Sequence, residues 1–318
     1  RLSLALVLLN VAAHLVAGRL TGQRTATAMV ATAQLGVPAA VVALGLPQGV
    51  LSAAQGAAIM IAALVSLAPF IGMVSSSFKP NNEIFESALR LLPVHPTLEN
   101  YQNAFARAPM LQFLLNGVIV CLGVLIGQLL VIVPAGYAFA KLEFAGRDAL
   151  FVVVIAALLV PGYITSIPNF LLFSNWKLLD TYWALMLPFW GSSFGTFLMR
   201  QFMRQIPDEI FDAARLDGAN TAQLIWYVLL PLIRPAIAAF TIFSFITHWN
   251  EFFWPLIVLR SEKMFTPPAG IAYFASAEGS KWGLIMAAAV IVILPLVIAF
   301  LAMRKQFVES LASSAVKG

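Results

Sequence analysis

Asp208, Glu209, Asp212, Arg215 and Asp217 place five charges within ten residues of a chain that is only 10% charged and 61% hydrophobic. The chemistry they offer is charge and hydrogen bonding at a surface, because nothing around them completes a reaction centre. The chain contains no Gly-x-x-x-x-Gly-Lys-Ser/Thr phosphate loop, no His or Cys cluster with metal-ligand spacing, and three His in all. A single Cys121 inside an apolar run excludes an internal disulfide framework and reads as a small packing residue. Neither a metal nor a cofactor is expected on the chain itself.

The elements that must hold this polar stretch are apolar. With 318 residues, 24 Phe and a mean hydropathy of +0.89, the chain cannot cover a soluble surface with charge and belongs in a bilayer. A span needs about 20 apolar residues. Runs of that kind predict six helices near 56–75, 112–136, 149–169, 181–199, 235–257 and 284–303. Two weaker segments near 2–18 and 27–45 precede them, and the break Leu46-Pro47-Gln48-Gly49 ends the second. The fold class expected is an all-α polytopic membrane protein. Residues 1–55 are read as a peripheral apolar hairpin and residues 56–318 as the transmembrane domain. The first apolar stretch lacks a small-residue cleavage site, so a cleaved leader is not expected. The chain opens on Arg1 rather than Met, and a native start upstream of it is the expectation.

Orientation follows from Lys and Arg in the loops, which favour the cytoplasmic side. With residues 200–234 inside, nine basic residues counted from the first of the six spans onward are cytoplasmic and seven are outside, the latter spread over the long loops 77–111 and 258–283. The bias is weak and favours a cytoplasmic polar stretch and C-terminus. Arg19 and Arg24 run against an eight-span arrangement, since they would lie outside.

Within the stretch, Ile206-Pro207-Asp208-Glu209 puts Pro and acids where a helix N-terminus favours them. Gly218 stands where a left-handed C-terminal residue is expected, and Asn220 with Gln223 resembles the opening of a second helix. The pattern predicts a helix, a tight turn and another helix. On the first helix Ile210, Phe211, Ala214 and Leu216 form the apolar side. Taken alone, this fits an interfacial helix resting on lipid as well as a docking element.

Asp212-Ala213-Ala214, three residues, Gly218, nine residues, then Val228-Leu229-Leu230-Pro231 resembles the signature loop of the membrane subunits of bacterial ABC importers, Glu-Ala-Ala, three residues, Gly, nine residues, Ile, one residue, Leu-Pro. Asp212 for Glu and Val228 for Ile are conservative departures. Further stretches are similar to carbohydrate importer permeases of the maltose-transporter type: Pro96 to Tyr101, Lys141 to Phe144, Val160-Pro161-Gly162, Phe197 to Phe202 and Trp249 to Leu256. The C-terminal Phe307 to Leu311, ending at Gly318, looks like the smaller of the two permeases in such systems. The resemblance covers roughly 56–318 and does not extend to 1–55.

The resemblance implies a six-helix permease core in the bacterial inner membrane, paired with a homologous second permease, two copies of a cytoplasmic ATPase and an external solute-binding protein, surrounded by membrane lipid and with no nucleic acid. ATP and Mg would be bound by the ATPase, and this subunit would be non-catalytic. The loop 206–231 would be the coupling loop, with Glu209, Asp212, Ala213, Ala214, Asp217, Gly218, Leu230 and Pro231 meeting the ATPase. The tail 305–318 would lie on the same side. The loop Thr266–Lys281 matches the position of the loop that reaches into the binding protein.

Trp190, Ser192, Ser193, Trp249, Asn250 and Glu251 are the candidate pore or substrate residues, since polar groups at membrane depth face a cavity or a partner helix and Trp and hydroxyl groups suit sugars. The same residue types also fasten helices together or anchor them at interfaces. An ion-coupled secondary transporter would bury several charges as a relay and show two similar halves, whereas this chain offers Glu251 and no evident repeat. An intramembrane enzyme would need a nucleophile with its base or a metal set within the spans, and no convincing set is present. The sequence leaves the sugar or sugar-like solute unnamed.

Overall fold

A computed structural model describes the backbone of residues 52–86, 92–279 and 281–315, so almost all of the N-terminal hairpin expected over 1–55 lies outside the described residues. The described residues are helices, turns and loops, with no strand among them. They fall into two units, 1–101 with 281–290 and 102–280 with 291–318.

In the first unit, α1 (Ala53–Ser77) opens on a reciprocal cap: Ser52 Oγ accepts from the Gln55 amide at 3.3 Å while Gln55 Oε1 accepts from the Ser52 amide at 2.9 Å. The chain after it turns through α2 (Asn81–Glu86) toward α3 (Glu99–Arg107). Asn100 Nδ2 fixes this turn by donating to the carbonyls of Ser77 at 3.0 Å and Lys79 at 2.7 Å, and the Ser77 and Tyr101 hydroxyls pair at 2.7 Å. The Glu83 carboxylate takes the amides of Val94 and His95, which hold it below the usual carboxylate range, Val94 foremost.

The second unit is built on α4 (Met110–Lys141), a 32-residue helix that contains Pro134. Around it come α5 (Arg147–Ala156), α6 (Ser166–Asn175), α7 (Tyr182–Met186), α8 (Ser193–Arg204), α9 (Asp208–Leu216), α10 (Thr221–Gln223) and α11 (Leu230–Leu232). Then come α12 (Arg234–Trp249), α13 (Phe253–Val258), α14 (Pro267–Glu278) and α15 (Trp282–Ala315), the last of which starts in the first unit. Gly136 lets α8 approach α4: a Cβ there would lie 2.7 Å from Met199 Cβ. One core cluster joins Ile132, Val133 and Tyr137 of α4 to Met199 and Met203 of α8 and to Phe211, Leu224, Leu229, Ile233 and Phe240.

By length and composition, α1, α4 and the first 18 residues of α15 can each cross a membrane, and two bent helix pairs raise the number to five among the described residues. The spans expected at 149–169, 181–199 and 235–257 are therefore not single straight helices. In the first, Arg147–Leu159 and Gly162–Asn175 meet at 95°, because Pro161 lacks an amide and keeps Val160 extended at φ −81° and ψ 116°. In the second, Pro188 and Gly191 separate α7 from α8. The third ends at Trp249, and Glu251 Oε1 accepts from the Trp254 amide at 3.1 Å to start α13 afresh.

Broken helices expose backbone that must find partners inside the protein, and buried side chains supply several. Asn116, fully buried, donates to the carbonyls of Lys263 at 2.8 Å and Phe265 at 2.9 Å and accepts from Gln112 at 2.9 Å and the Tyr182 hydroxyl at 2.6 Å. Gln128 donates to the Phe189 carbonyl at 3.0 Å, accepts from Ser244 at 2.6 Å and pairs with His248 Nε2 at 3.1 Å. In the loops, the Asp180 carboxylate works against partial burial by accepting from the amides of Arg260 at 3.0 Å and Ser261 at 3.1 Å, and the balance holds it below its usual range.

Asn116→Ala would strand two carbonyls and a tyrosine hydroxyl, at a cost of about 2–4 kcal/mol. Thermal unfolding of the purified protein should shift down by roughly 2–4 °C for each kcal/mol; an unchanged transition would mean that these groups find other partners.

Candidate functional site

The polar stretch folds as the helix, turn and helix that its sequence predicts. α9 starts after Pro207 with Asp208 and Glu209 in its first turn, where carboxylates complement the helix dipole. Its end is a complete Schellman motif: the Gly218 amide bonds the Arg215 carbonyl and the Ala219 amide bonds the Ala214 carbonyl, each at 3.0 Å, with Gly218 at φ +83°. Asn220 and Gln223 then form a reciprocal cap, each side chain bonding the other's amide at 2.9 Å.

One side chain roots α9 in the helix core. Phe211 is 1% exposed, its ring 6.0 Å from that of Tyr137 on α4, and Lys141 Nζ lies 5.1 Å from its centroid. The same ammonium donates to the Ile206 carbonyl at 2.5 Å and to Asp208 Oδ1 at 2.6 Å. Arg215 donates to the Tyr137 hydroxyl at 3.3 Å and to Asp212 at 2.9 Å, and these two acceptors, Tyr137 first, strengthen its positive charge.

This rooting decides which face is free. Glu209, Asp212, Ala213, Asp217, Gly218 and Pro231 are exposed, and Ala214 and Leu230 are half-buried. The apolar side expected from sequence, Ile210 with Phe211, Ala214 and Leu216, does not stay together: Phe211 alone is buried, and Leu216 is 90% exposed beside the carboxylates. The sequence reading missed Leu216 as part of the free face and did not recognise Tyr137, Lys141 and Phe211 as the joint beneath it. A Lys at the end of a long apolar run, 65 residues from the carbonyl it serves, carried a faint signal at most.

The six pore candidates occupy several environments. Trp190 donates to the Gly123 carbonyl at 3.2 Å and fills the space beside Gly127. Ser192 caps α8 by accepting from the Gly195 amide at 3.0 Å, and Ser193 is its half-buried first residue. Trp249 is 2% exposed, donates to the Val292 carbonyl at 3.2 Å and stacks on Phe245. Asn250 is exposed and bonds the Ile246 carbonyl at 2.8 Å; Glu251 caps α13. No hydrogen bond or ring contact joins any two of the six among the described residues. The set of buried Gln128 and Ser244 with half-buried His248, which ties α4 to α12, was not singled out from sequence because its members on the two helices lie 116 and 120 residues apart.

Residues 132–312 match the profile of a family described as "Binding-protein-dependent transport system inner membrane component", and the match includes the whole of α9 and its turn. The chain belongs to this family. Its relatives include the arabinooligosaccharides transport system permease protein AraQ of Halalkalibacterium halodurans, 33% identical over 80% of this chain and 93% of that protein. The sn-glycerol-3-phosphate transport system permease protein UgpE of Yersinia pestis bv. Antiqua is 30% identical over 80% of this chain and 94% of that protein. Among solved structures, a chain of a bacterial ABC transporter involved in the import of the acidic polysaccharide alginate superposes with a TM-score of 0.71 at 26% identity, covering 79% of this chain and 94% of that one. This chain is therefore an inner-membrane permease subunit of a binding-protein-dependent ABC importer.

In this permease Lys141→Met keeps the apolar stem over Phe211 and removes the ammonium. Asp208 is mostly exposed, so the ion pair itself contributes little and the Ile206 carbonyl bond dominates, at about 1–2 kcal/mol. Hydrogen exchange at the amides of α9 should quicken by roughly 5–30-fold, with α4 unchanged. Equal protection in both proteins would show that Phe211 alone fixes the helix.

Proposed function

We propose that this permease forms half of a translocation pore for a sugar or sugar-like solute, the other half being a homologous second permease. Two copies of a cytoplasmic ATPase, which bind the ATP and Mg and carry out hydrolysis, engage it from inside, and a solute-binding protein delivers substrate from outside. The C-terminus and the tail 305–318 are assigned to the cytoplasm, together with the loop 206–231. Carbohydrate is the substrate class because the named relatives serve arabinooligosaccharides and sn-glycerol-3-phosphate and the solved relative imports alginate.

The observation that carries the coupling role is the free face of α9. Three carboxylates, two alanines and the exposed Leu216 are presented on a nine-residue helix, with Asp217 at its C-cap, rooted through Phe211, Lys141 and Tyr137 in α4. A force on that face reaches a spanning helix through a desolvated ring and two hydrogen-bonded cations. In this reading Glu209, Asp212, Ala213, Ala214, Asp217 and Gly218 meet the ATPase, while Leu230 and Pro231 belong to the elbow behind it. Trp190, Ser192, Ser193, Trp249, Asn250 and Glu251 remain the pore proposal; Asn250 is the most exposed kind of group among them, and Trp190 and Trp249 act through helix packing.

Gly218 tests the coupling role. A Cβ there meets nothing within 4 Å, so the cost of a first side-chain atom is that of φ +83°. Gly218→Val should strain the turn by about 1–3 kcal/mol and reduce uptake and binding-protein-stimulated ATPase activity at normal membrane abundance. Gly218→Asn, which tolerates the left-handed region, should retain most of both. Normal coupled activity in the valine variant would reject the role.

A further inference from the structure

The loop turns two chemically different faces outward. α9 and its C-cap carry Asp208, Glu209, Asp212 and Asp217, whereas from Ala219 to Ile233 there is no acidic residue at all. This second segment, Thr221–Leu232, meets α12 at 80°. Its middle, Leu224–Leu229, is wound as a π-helix, and the winding sets its faces. In an α-helix, residues five apart fall on nearly opposite sides; in the wider π turn they align. Leu224 and Leu229 are accordingly both buried in the core, and the residues between them, Trp226 and Tyr227, are turned out at 63% and 79% exposure. Leu232, 46% exposed, and the exposed Arg234 continue that side to the mouth of α12.

Two adjacent aromatic rings with polar tips, a leucine and an arginine suit the boundary between lipid and water, where the ring body is apolar and the N–H or O–H stays wet. The Trp226 indole and Tyr227 hydroxyl make no hydrogen bond to another described residue and are exposed, so their polar tips are open to water or lipid headgroups. The bend supplies the placement: Thr221–Leu232 stands at 80° to α12, so with α12 entering the bilayer near its normal this segment lies close to the membrane plane. We infer that the Trp226–Tyr227 face rests in the headgroup layer of the bilayer that α12 enters, with Arg234 directed at anionic phosphodiester groups. Lipid then bears on one side of the elbow while the acidic face of α9 is left to the other partner. The elbow is a lever with a membrane fulcrum.

The test is depth. Tyr227→Cys in a Cys121→Ser background would carry a spin label in the assembled importer, reconstituted in vesicles of phosphatidylethanolamine and phosphatidylglycerol. Glu143→Cys, in an exposed loop, and Val153→Cys, exposed on the apolar α5, serve as aqueous and lipid references. The ratio of oxygen to nickel-chelate collisions at position 227 should exceed that at 143 several-fold and lie between those at 143 and 153, for a label about 5–10 Å into the headgroup and acyl boundary. A ratio equal to that at 143 overturns the inference in favour of a solvated face. Exclusion of both reagents, relieved on stripping the ATPase, overturns it in favour of a protein contact. Trp226→Cys repeats the measurement should the first variant fail to assemble.

Discussion

The burial of Phe211 beneath Lys141 and against Tyr137 is the contact on which the geometry of the loop depends. A nine-residue helix is too short to persist in water on its own propensity, so α9 exists because one face is anchored. The anchor is mixed in kind. The ring is desolvated, which resists sliding, and the cation over it is directional, because the same ammonium holds the Ile206 carbonyl just before the helix begins. Arg215 repeats the arrangement in the last turn through the Tyr137 hydroxyl. Two cations and one ring therefore fix both ends of α9 to a single spanning helix; Asp208 and Asp212 pair with those cations, and Glu209 and Asp217 form no ion pair among the described residues.

The bend behind the loop has its own cause. Pro231 and Pro235 lie four residues apart and neither has an amide, so two helical hydrogen bonds on one side of the helix are missing where α12 would continue the preceding segment. The bonds that remain, Ile233 to Leu229 and Ile237 to Ile233, each 3.0 Å, carry the chain around the corner. Ile233 is buried at the corner, with Leu224 and Leu229 on the same side. The bend is thus held by packing as well as permitted by the prolines. At Val160-Pro161 the situation differs, since the neighbouring residues from 157 to 165 are exposed and only local turns, Val160 to Ala157 and Ile164 to Pro161, bridge the break.

Much of this could be read in the residues. α1, α4 and α15 follow from apolar length, the two caps and the left-handed Gly218 follow from turn chemistry, and the spacing from Asp212 to Pro231 carried the family. Three things were hidden. Breaks inside apolar runs were underestimated at Pro188, Gly191 and Asn250, because hydropathy counts composition and is blind to a missing amide at Pro188 and to the backbone turns at Gly191 and Asn250. The partners of buried polar groups were invisible, since Asn116 finds its carbonyls 147 and 149 residues away. The free face of α9 was misassigned at Leu216 because periodicity gives a side of a helix and does not say how much of that side the core can reach.

These limits explain why the coupling loop is sharper than the pore. The loop is local: its cap, its turn and its charges lie within 26 residues, so short-range rules specify it. A pore wall is assembled from helices that meet over long sequence separations, and in this fold Trp190 and Trp249 are drawn into closing the seams against Gly123 and Val292 rather than left open. Aromatic residues beside small ones are what close packing in lipid requires, since helices there associate through fit and hydrogen bonds without a hydrophobic drive. The same residue types would also stack against a sugar. What separates the two uses is whether a neighbouring helix already occupies the ring face, and that is a property of the packed fold rather than of the residue.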